Sequence, residues 1–269
     1  MLRLQFLHHP PHEISPLKLL LHLSVVLSAI GLLPPIHAQQ PATTPTIRIV
    51  AFGDSTTATR GELKIYCHQL RDRFAESGEA VEIINAGVGG NHTELAKQRF
   101  ERDVLQQAPD VVIIQFGIND SAVDVWRNPP ATGPRVSLEQ YEQNLAGFVE
   151  QLKSRDVHVI LMTPNPLQWT DKLKQLYRKP PYDANNPDGF NVLLTKYAAA
   201  VRRIAKEQSV PLIDVDVAFR EYGQEPDQSM NDLLLDGMHP NERGHRLITE
   251  LLLPELSSQV KSLQRSRGN

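Results

Sequence analysis

Cysteine is almost missing: Cys67 stands alone in 269 residues, so the chain can form no intramolecular disulfide and no thiolate metal cluster. A chain this long buries enough apolar surface to hold together without such a staple, even outside a cell. Charge of one sign is also lacking. The formal net charge is -3 and no basic run is present, which argues against a nucleic-acid partner or any polyanion groove. There is no internal repeat and no second compositional block. What remains, 41% hydrophobic and 22% charged residues, is the composition of an ordinary globular α/β domain.

The one long apolar stretch lies near the N-terminus and is itself short for a membrane span. Arg3 and Lys18 precede the run Leu19–Leu33, which is followed by Pro34, Pro35 and Ile36-His37-Ala38. Basic, apolar, breaker and small residue in that order read as a signal peptide cut after Ala38, giving a secreted or periplasmic protein with no stable membrane association after cleavage. The alternative is an uncleaved N-terminal membrane anchor. No cysteine lies near the cut, which excludes a lipid-modified one. Residues 39–46 are Pro/Thr-rich and read as a linker, and residues 47–269 as one domain. The leader takes with it five of the ten histidines. His68, His92, His158, His239 and His245 remain as candidate bases.

From Ile47 onward, short β-branched runs alternate with amphipathic ones. Ile47–Phe52, Val81–Ile84, Val111–Phe116, Val157–Met162 and Val210–Ile213 are predominantly apolar with no strict alternation, as expected of parallel strands buried on both faces. Between them, Leu63/Tyr66/Leu70/Phe74, Leu138/Tyr141/Leu145/Phe148/Leu152 and Leu194/Tyr197/Val201/Ile204 make helical stripes. Ser137 with Gln140 opens the second as a capping box, and a last helix begins near Pro240. The alternation implies right-handed βαβ units and a three-layer α/β/α sandwich with a parallel sheet. Pro164–Asn191, with five prolines, breaks the rhythm and reads as a long loop that shapes a binding site.

Ligands of open parallel sheets bind beyond the carboxyl ends of the strands, so the residues just after each strand carry the functional question. Ser55 follows the first strand, where its hydroxyl and its own N–H can point into one space, although an ordinary turn serine fits too. Asp236 and His239 stand three apart before the last helix. One short turn there can present both, the carboxylate holding the imidazole in the tautomer that accepts a proton; alone, they also fit an Asp-Gly turn and a surface histidine. Asn119 can donate a side-chain amide and Gly90 a backbone N–H to a developing oxyanion.

Gly-Asp-Ser at Ser55, Gly90 five residues after Asn85, Asn119 in Gly-Ile-Asn-Asp, and Asp236-x-x-His239 occur in an order that resembles the SGNH hydrolase (GDSL-like esterase/lipase) family. The resemblance runs from Ile47 to the last helix. It implies a flavodoxin-like sheet of order 2-1-3-4-5 and a serine carboxylic-ester hydrolase working through an acyl-enzyme, without cofactor or metal. Ser55, His239 and Asp236 would be nucleophile, base and orienting carboxylate, and Ser55 N–H, Gly90 N–H and Asn119 the oxyanion hole. The expected substrate is a small-molecule or glycan ester, above all a short acyl such as acetyl. A lysophospholipase or thioesterase, an acyltransferase, and a glycan-binding module that lost catalysis are the alternatives.

Among the remaining residues, His92 is the rival base, lacking a carboxylate to orient it. Trp169 and Tyr182 either stack on substrate or pin the long loop. Asn91-His92-Thr93 is a glycosylation sequon, read as unmodified because a glycan there would obstruct the cleft.

Overall fold

The five β-branched runs form one parallel sheet. A computed structural model describes residues 46–268, and the leader and nearly all of the linker lie outside that range. In it β1 (Ile47–Gly53), β2 (Val81–Gly87), β3 (Val111–Gln115), β4 (His158–Met162) and β5 (Leu212–Ile213) lie in the order β2-β1-β3-β4-β5. That is the 2-1-3-4-5 order implied by the family resemblance. Eight helices join them: α1 (Tyr66–Glu76), α2 (Thr93–Asp103), α3 (Ile118–Ser121), α4 (Leu138–Lys153), α5 (Asp171–Tyr177), α6 (Leu194–Gln208), α7 (Val215–Tyr222) and α8 (Glu242–Gly268).

Because side chains alternate across a strand, each strand feeds two cores. Val50, Phe52, Val112, Ile114, Val159 and Leu161 pack on one face against residues of α2, α4 and α6. Ile47, Ile49, Ala51, Val111, Ile113 and Ile160 pack on the other against α1, α7 and α8. Burial on both faces is why these runs are dominated by apolar residues, with Arg48, Glu82 and His158 at the strand starts and Gln115 at the end of β3, and it makes the three-layer sandwich.

Local chemistry moved several boundaries. β5 is shorter than its apolar run because Val210 N–H turns back to the Ala205 carbonyl at the end of α6, and Pro211 has no N–H to give to a ladder. Ser137 does cap α4, accepting the Gln140 N–H at 3.2 Å. The reciprocal half of the box is replaced, however, by a bond from Gln140 Nε2 to Asn144 Oδ1. The long segment 164–191 is not structureless. Thr170 caps α5 by accepting the Leu173 N–H, and Leu173 and Tyr177 bury into a third apolar cluster with Ile118, Leu167, Tyr182 and Phe190. A seven-residue helix between prolines is too short to show a period.

His245, on the first turn of α8, is a buried imidazole. Its ring lies 6.0 Å from that of Tyr66, and Nδ1 has no hydrogen-bond partner. Burial first, then the charge of Arg60 and the neighbouring His68 and His239, push its pKa down to about 3. The unfolded chain therefore takes up a proton below about pH 6.5 that the folded state refuses. This group removes stability as pH falls from about 6.5 to about 3, at roughly 1.4 kcal/mol per unit. Asp120, buried and pushed up to about 7, has the opposite slope in the same window, so the histidine must be isolated by difference. His245→Gln should lose less stability than the parent on going from pH 7 to pH 5. Thermal denaturation across that range measures it, and a difference between the two proteins that is constant with pH would refute the assignment.

Candidate active site

The ends of β1, β2 and β3 are level: Gly53 stands in register with Gly87 on one side and with Gln115 on the other. The segments that leave these strands therefore start from one edge. After β1 the chain does not enter a helix at once, and Leu63, first of the expected helical stripe, lies ahead of α1. Thr57 and Ala58 N–H groups bond the Asp54 carbonyl in a tight turn, and α1 begins only at Tyr66. Ser55 sits in that turn, half-buried.

The turn after β2 stands beside it. A Cβ at Gly89 would lie 4.0 Å from Ser55 Cβ, and Gly90 follows with φ +75°, a left-handed conformation that glycine adopts without strain. Buried Arg99, on α2, holds this turn in place. It donates to the Gly53 carbonyl at 2.9 Å, the Ala86 carbonyl at 2.7 Å and Asn91 Oδ1 at 2.7 Å. Asn91 of the sequon is thus buried and its amide oxygen is engaged by a guanidinium.

α3 carries Asn119 and Asp120, which link the two earlier turns. Asp120 Oδ1 accepts the Thr93 N–H and hydroxyl. Asn119 Nδ2 lies 3.4 Å from Asp54 Oδ2, while its Oδ1 accepts a bond from Arg135 at 2.8 Å.

Asp236 and His239 arrive from far along the chain, on a turn closed by Leu235 N–H to the His239 carbonyl. Asp236 Oδ1 accepts the Met238 and His239 N–H groups at 3.1 and 2.9 Å. Its Oδ2 lies 2.8 Å from His239 Nδ1. The other ring nitrogen, Nε2, lies 3.0 Å from Ser55 Oγ. With Nδ1–H donating to the carboxylate, Nε2 is left with a lone pair facing the hydroxyl, the arrangement needed to accept its proton. Burial raises the Asp236 pKa, but the His239 ring and backbone bonds outweigh it and hold the carboxyl well below the usual range. The carboxylate therefore stays charged at any ordinary pH. The turn is secured from outside, since Asn165 Nδ2 donates to the Met238 carbonyl and Gln168 N–H to that of Gly237.

His92 occupies the N-cap position of α2 without a side-chain cap bond, and its buried Nδ1 has no hydrogen-bond partner among the described residues. Burial, then the charge of Arg135, lower its pKa. Tyr182 does not face a cleft: it is 8% exposed, and its hydroxyl accepts the Val123 N–H at 2.8 Å. Trp169 stacks on Phe190 at 4.4 Å and donates Nε1–H to the Asn186 carbonyl. Tyr182 is thus turned into the loop packing, while Trp169, only partly buried, is tied to the loop by one ring face and its Nε1–H. Sequence reading missed Trp126, 48% exposed on the segment just after α3, with the Arg127 guanidinium 5.4 Å from its ring. A lone tryptophan directly after the Gly-Ile-Asn-Asp cluster was the signal available. It missed Arg135 as well, which has no spacing that would mark it.

A model of the GDSL-like lipase/acylhydrolase family matches residues 51–247. The chain is 32% identical over 217 residues to YqeF, an uncharacterized lipoprotein of Bacillus subtilis (strain 168), across 75% of this chain and 86% of that one. It is 30% identical to the acetylxylan esterase of Geobacillus stearothermophilus, across 65% and 72% respectively. Among solved structures, the lipase/acylhydrolase of Enterococcus faecalis superimposes with a TM-score of 0.62 at 26% identity, covering 80% of this chain and 97% of that one. The chain belongs to the GDSL-like lipase/acylhydrolase family and is a serine ester hydrolase.

Gly237 supplies a direct test of how the Asp236–His239 turn is held. Its φ is +84°, and an added Cβ would sit 2.4 Å from the Gln168 carbonyl oxygen. Gly237→Ala should displace the turn, cost about 1–3 kcal/mol of stability and lower ester hydrolysis more than tenfold in the protein that remains folded. Thermal denaturation and steady-state kinetics give both numbers, and unchanged kinetics would mean that the turn tolerates the shift.

Proposed function

We propose that the protein is an exported esterase that removes short acyl groups, with acetyl groups on carbohydrate as the leading substrate. Ser55, His239 and Asp236 are its catalytic residues. The contact of His239 with Ser55 Oγ, across 184 positions of chain, while its other ring nitrogen meets Asp236, carries this reading.

Ser55 Oγ attacks the ester carbonyl as His239 Nε2 takes its proton, and Asp236 stabilises the imidazolium that forms. The oxyanion is received by the Ser55 and Gly90 N–H groups and by Asn119 Nδ2. His239 then protonates the leaving alcohol, and water releases the acid from the acyl-enzyme by the same path.

Preference for a short acyl group is supported by the apolar cluster that flanks the site. Ile118 and Met238, neighbours of Asn119 and His239, line a cavity of about 20 Å³ closed by Leu167, Tyr182 and Phe190, room for about one water molecule. A long chain has no space there. Export rests on the order of residues in the leader; no helix among the described residues is long and apolar enough to cross a membrane. A glycan leaving group is supported by exposed Trp126, whose ring offers a flat apolar face to a sugar, and by the likeness to an acetylxylan esterase.

Ser55→Ala should fold normally and lose on the order of a thousandfold or more in turnover; near-parental activity in the folded variant would end the proposal. On p-nitrophenyl esters, kcat/KM should fall steeply from acetyl to octanoyl. Trp126→Ala should lower activity on acetylated xylo-oligosaccharides by about tenfold while sparing p-nitrophenyl acetate. Trp169→Ala, by contrast, should lower thermal stability without re-ranking substrates. A flat chain-length profile removes the short-acyl claim, and equal loss on both substrate types in Trp126→Ala removes the glycan claim.

A further inference from the structure

Asn119 is useful as an oxyanion donor only if its amide is turned the right way. The Oδ1 and Nδ2 ends are nearly the same shape, and the terminal torsion of asparagine is broad. Two neighbours set it. Arg135 Nη1 donates to Oδ1 at 2.8 Å, and Asp54 Oδ2 faces Nδ2 at 3.4 Å. The second contact is long for a hydrogen bond; the first is short and comes from a charged donor.

Arg135 is itself well fixed. Its Nη2 bonds Asp124 Oδ1 at 2.7 Å, and its Nε lies 3.2 and 3.3 Å from the two carboxylate oxygens. The Asp124 side chain is 4% exposed and also pairs with Arg127. The backbone around Arg135 is tied down as well, by its N–H to the Ala122 carbonyl and the Val136 N–H to the Asp120 carbonyl. A guanidinium has donors and no acceptor, so an amide turned by 180° would set N–H against N–H at Arg135 and oxygen against oxygen at Asp54.

We infer that Arg135 is a positioning residue for ester hydrolysis: anchored by Asp124, it fixes the Asn119 amide so that Nδ2–H faces the developing oxyanion. Its charge also polarises the amide it bonds, which strengthens the opposite N–H as a donor. This inference rests on the proposed role of Asn119, and the test separates the two.

A double-mutant cycle on p-nitrophenyl acetate gives the answer. Asn119→Ala should lower kcat roughly a hundredfold or more with little change in KM, as loss of an oxyanion donor does. Arg135→Met should lower kcat by about tenfold or more, again with KM nearly constant, because the donor is still present but no longer held. In the Asn119→Ala background, Arg135→Met should change kcat less than about twofold. Arg127→Met removes the other cation from Asp124 without touching Asn119, and should leave kcat within about twofold of the parent. If Arg135→Met unfolds the protein, the same cycle is run with Arg135→Lys, which keeps a cation opposite Asp124. An equal loss in both backgrounds, or no loss with either Arg135 variant, overturns the inference and leaves the Asn119 reading intact. Parental kcat in Asn119→Ala removes that reading, and the role of Arg135 with it.

Discussion

A single buried guanidinium holds the working edge of this protein together. Arg99 bonds the carbonyls of Gly53 and Ala86, at the ends of β1 and β2, and the side chain of Asn91 beyond the glycine turn. Its own plane lies over the Phe52 ring at 4.6 Å, so the charge is sandwiched between the sheet core and the loops. The guanidinium gives three oxygens at this edge a charged donor; the Gly53 carbonyl also accepts the Val88 N–H. The residue is 7% exposed, and burial lowers its pKa. Remove this clamp and the turn bearing Ser55 and the turn bearing Gly90 lose their common anchor.

From that anchor the site grows outward by pairwise ties, each joining segments distant in sequence. Thr93 and Asp120 link the β2 and β3 turns, Asn119 and Asp54 link those of β3 and β1, and Asn165 reaches the Asp236–His239 turn. The ties are polar and internal to the loops, while the strands beneath are almost wholly apolar. This division explains how an ester hydrolase of this family keeps a rigid site on irregular backbone: side chains that bond the neighbouring loop do the work that a ladder does inside the sheet. Asp124 and Arg135 extend the same logic one step further from the reacting atoms.

The apolar cluster under α5 has a different part. Trp169, Tyr177, Tyr182 and Phe190 pack ring against ring in the cluster that takes in Ile118 and Met238, the chain neighbours of Asn119 and His239. In this segment Tyr182 fills volume and Trp169 is partly buried against Phe190, whereas Trp126, on another loop, is 48% exposed.

The residue order alone determined the architecture. Runs such as Val111–Ile114 are apolar without alternation, and a parallel sheet covered on both faces accommodates them. The blocks around Ser55, Gly90, Asn119 and Asp236/His239 were legible for a related reason: each follows a strand or opens a helix, so topology sends them to one edge. Orientation was not legible. Whether Tyr182 pointed to a cleft or to a core depended on Val123, 59 positions away, and on the Phe190 ring. The partner of Asn119 Oδ1 lay sixteen positions away, in a proline-rich loop with no period. Periodicity reports which face of an element is buried. Which atom of a side chain meets which neighbour is decided by contacts across loops, and these exist only once the sheet has brought the loops together.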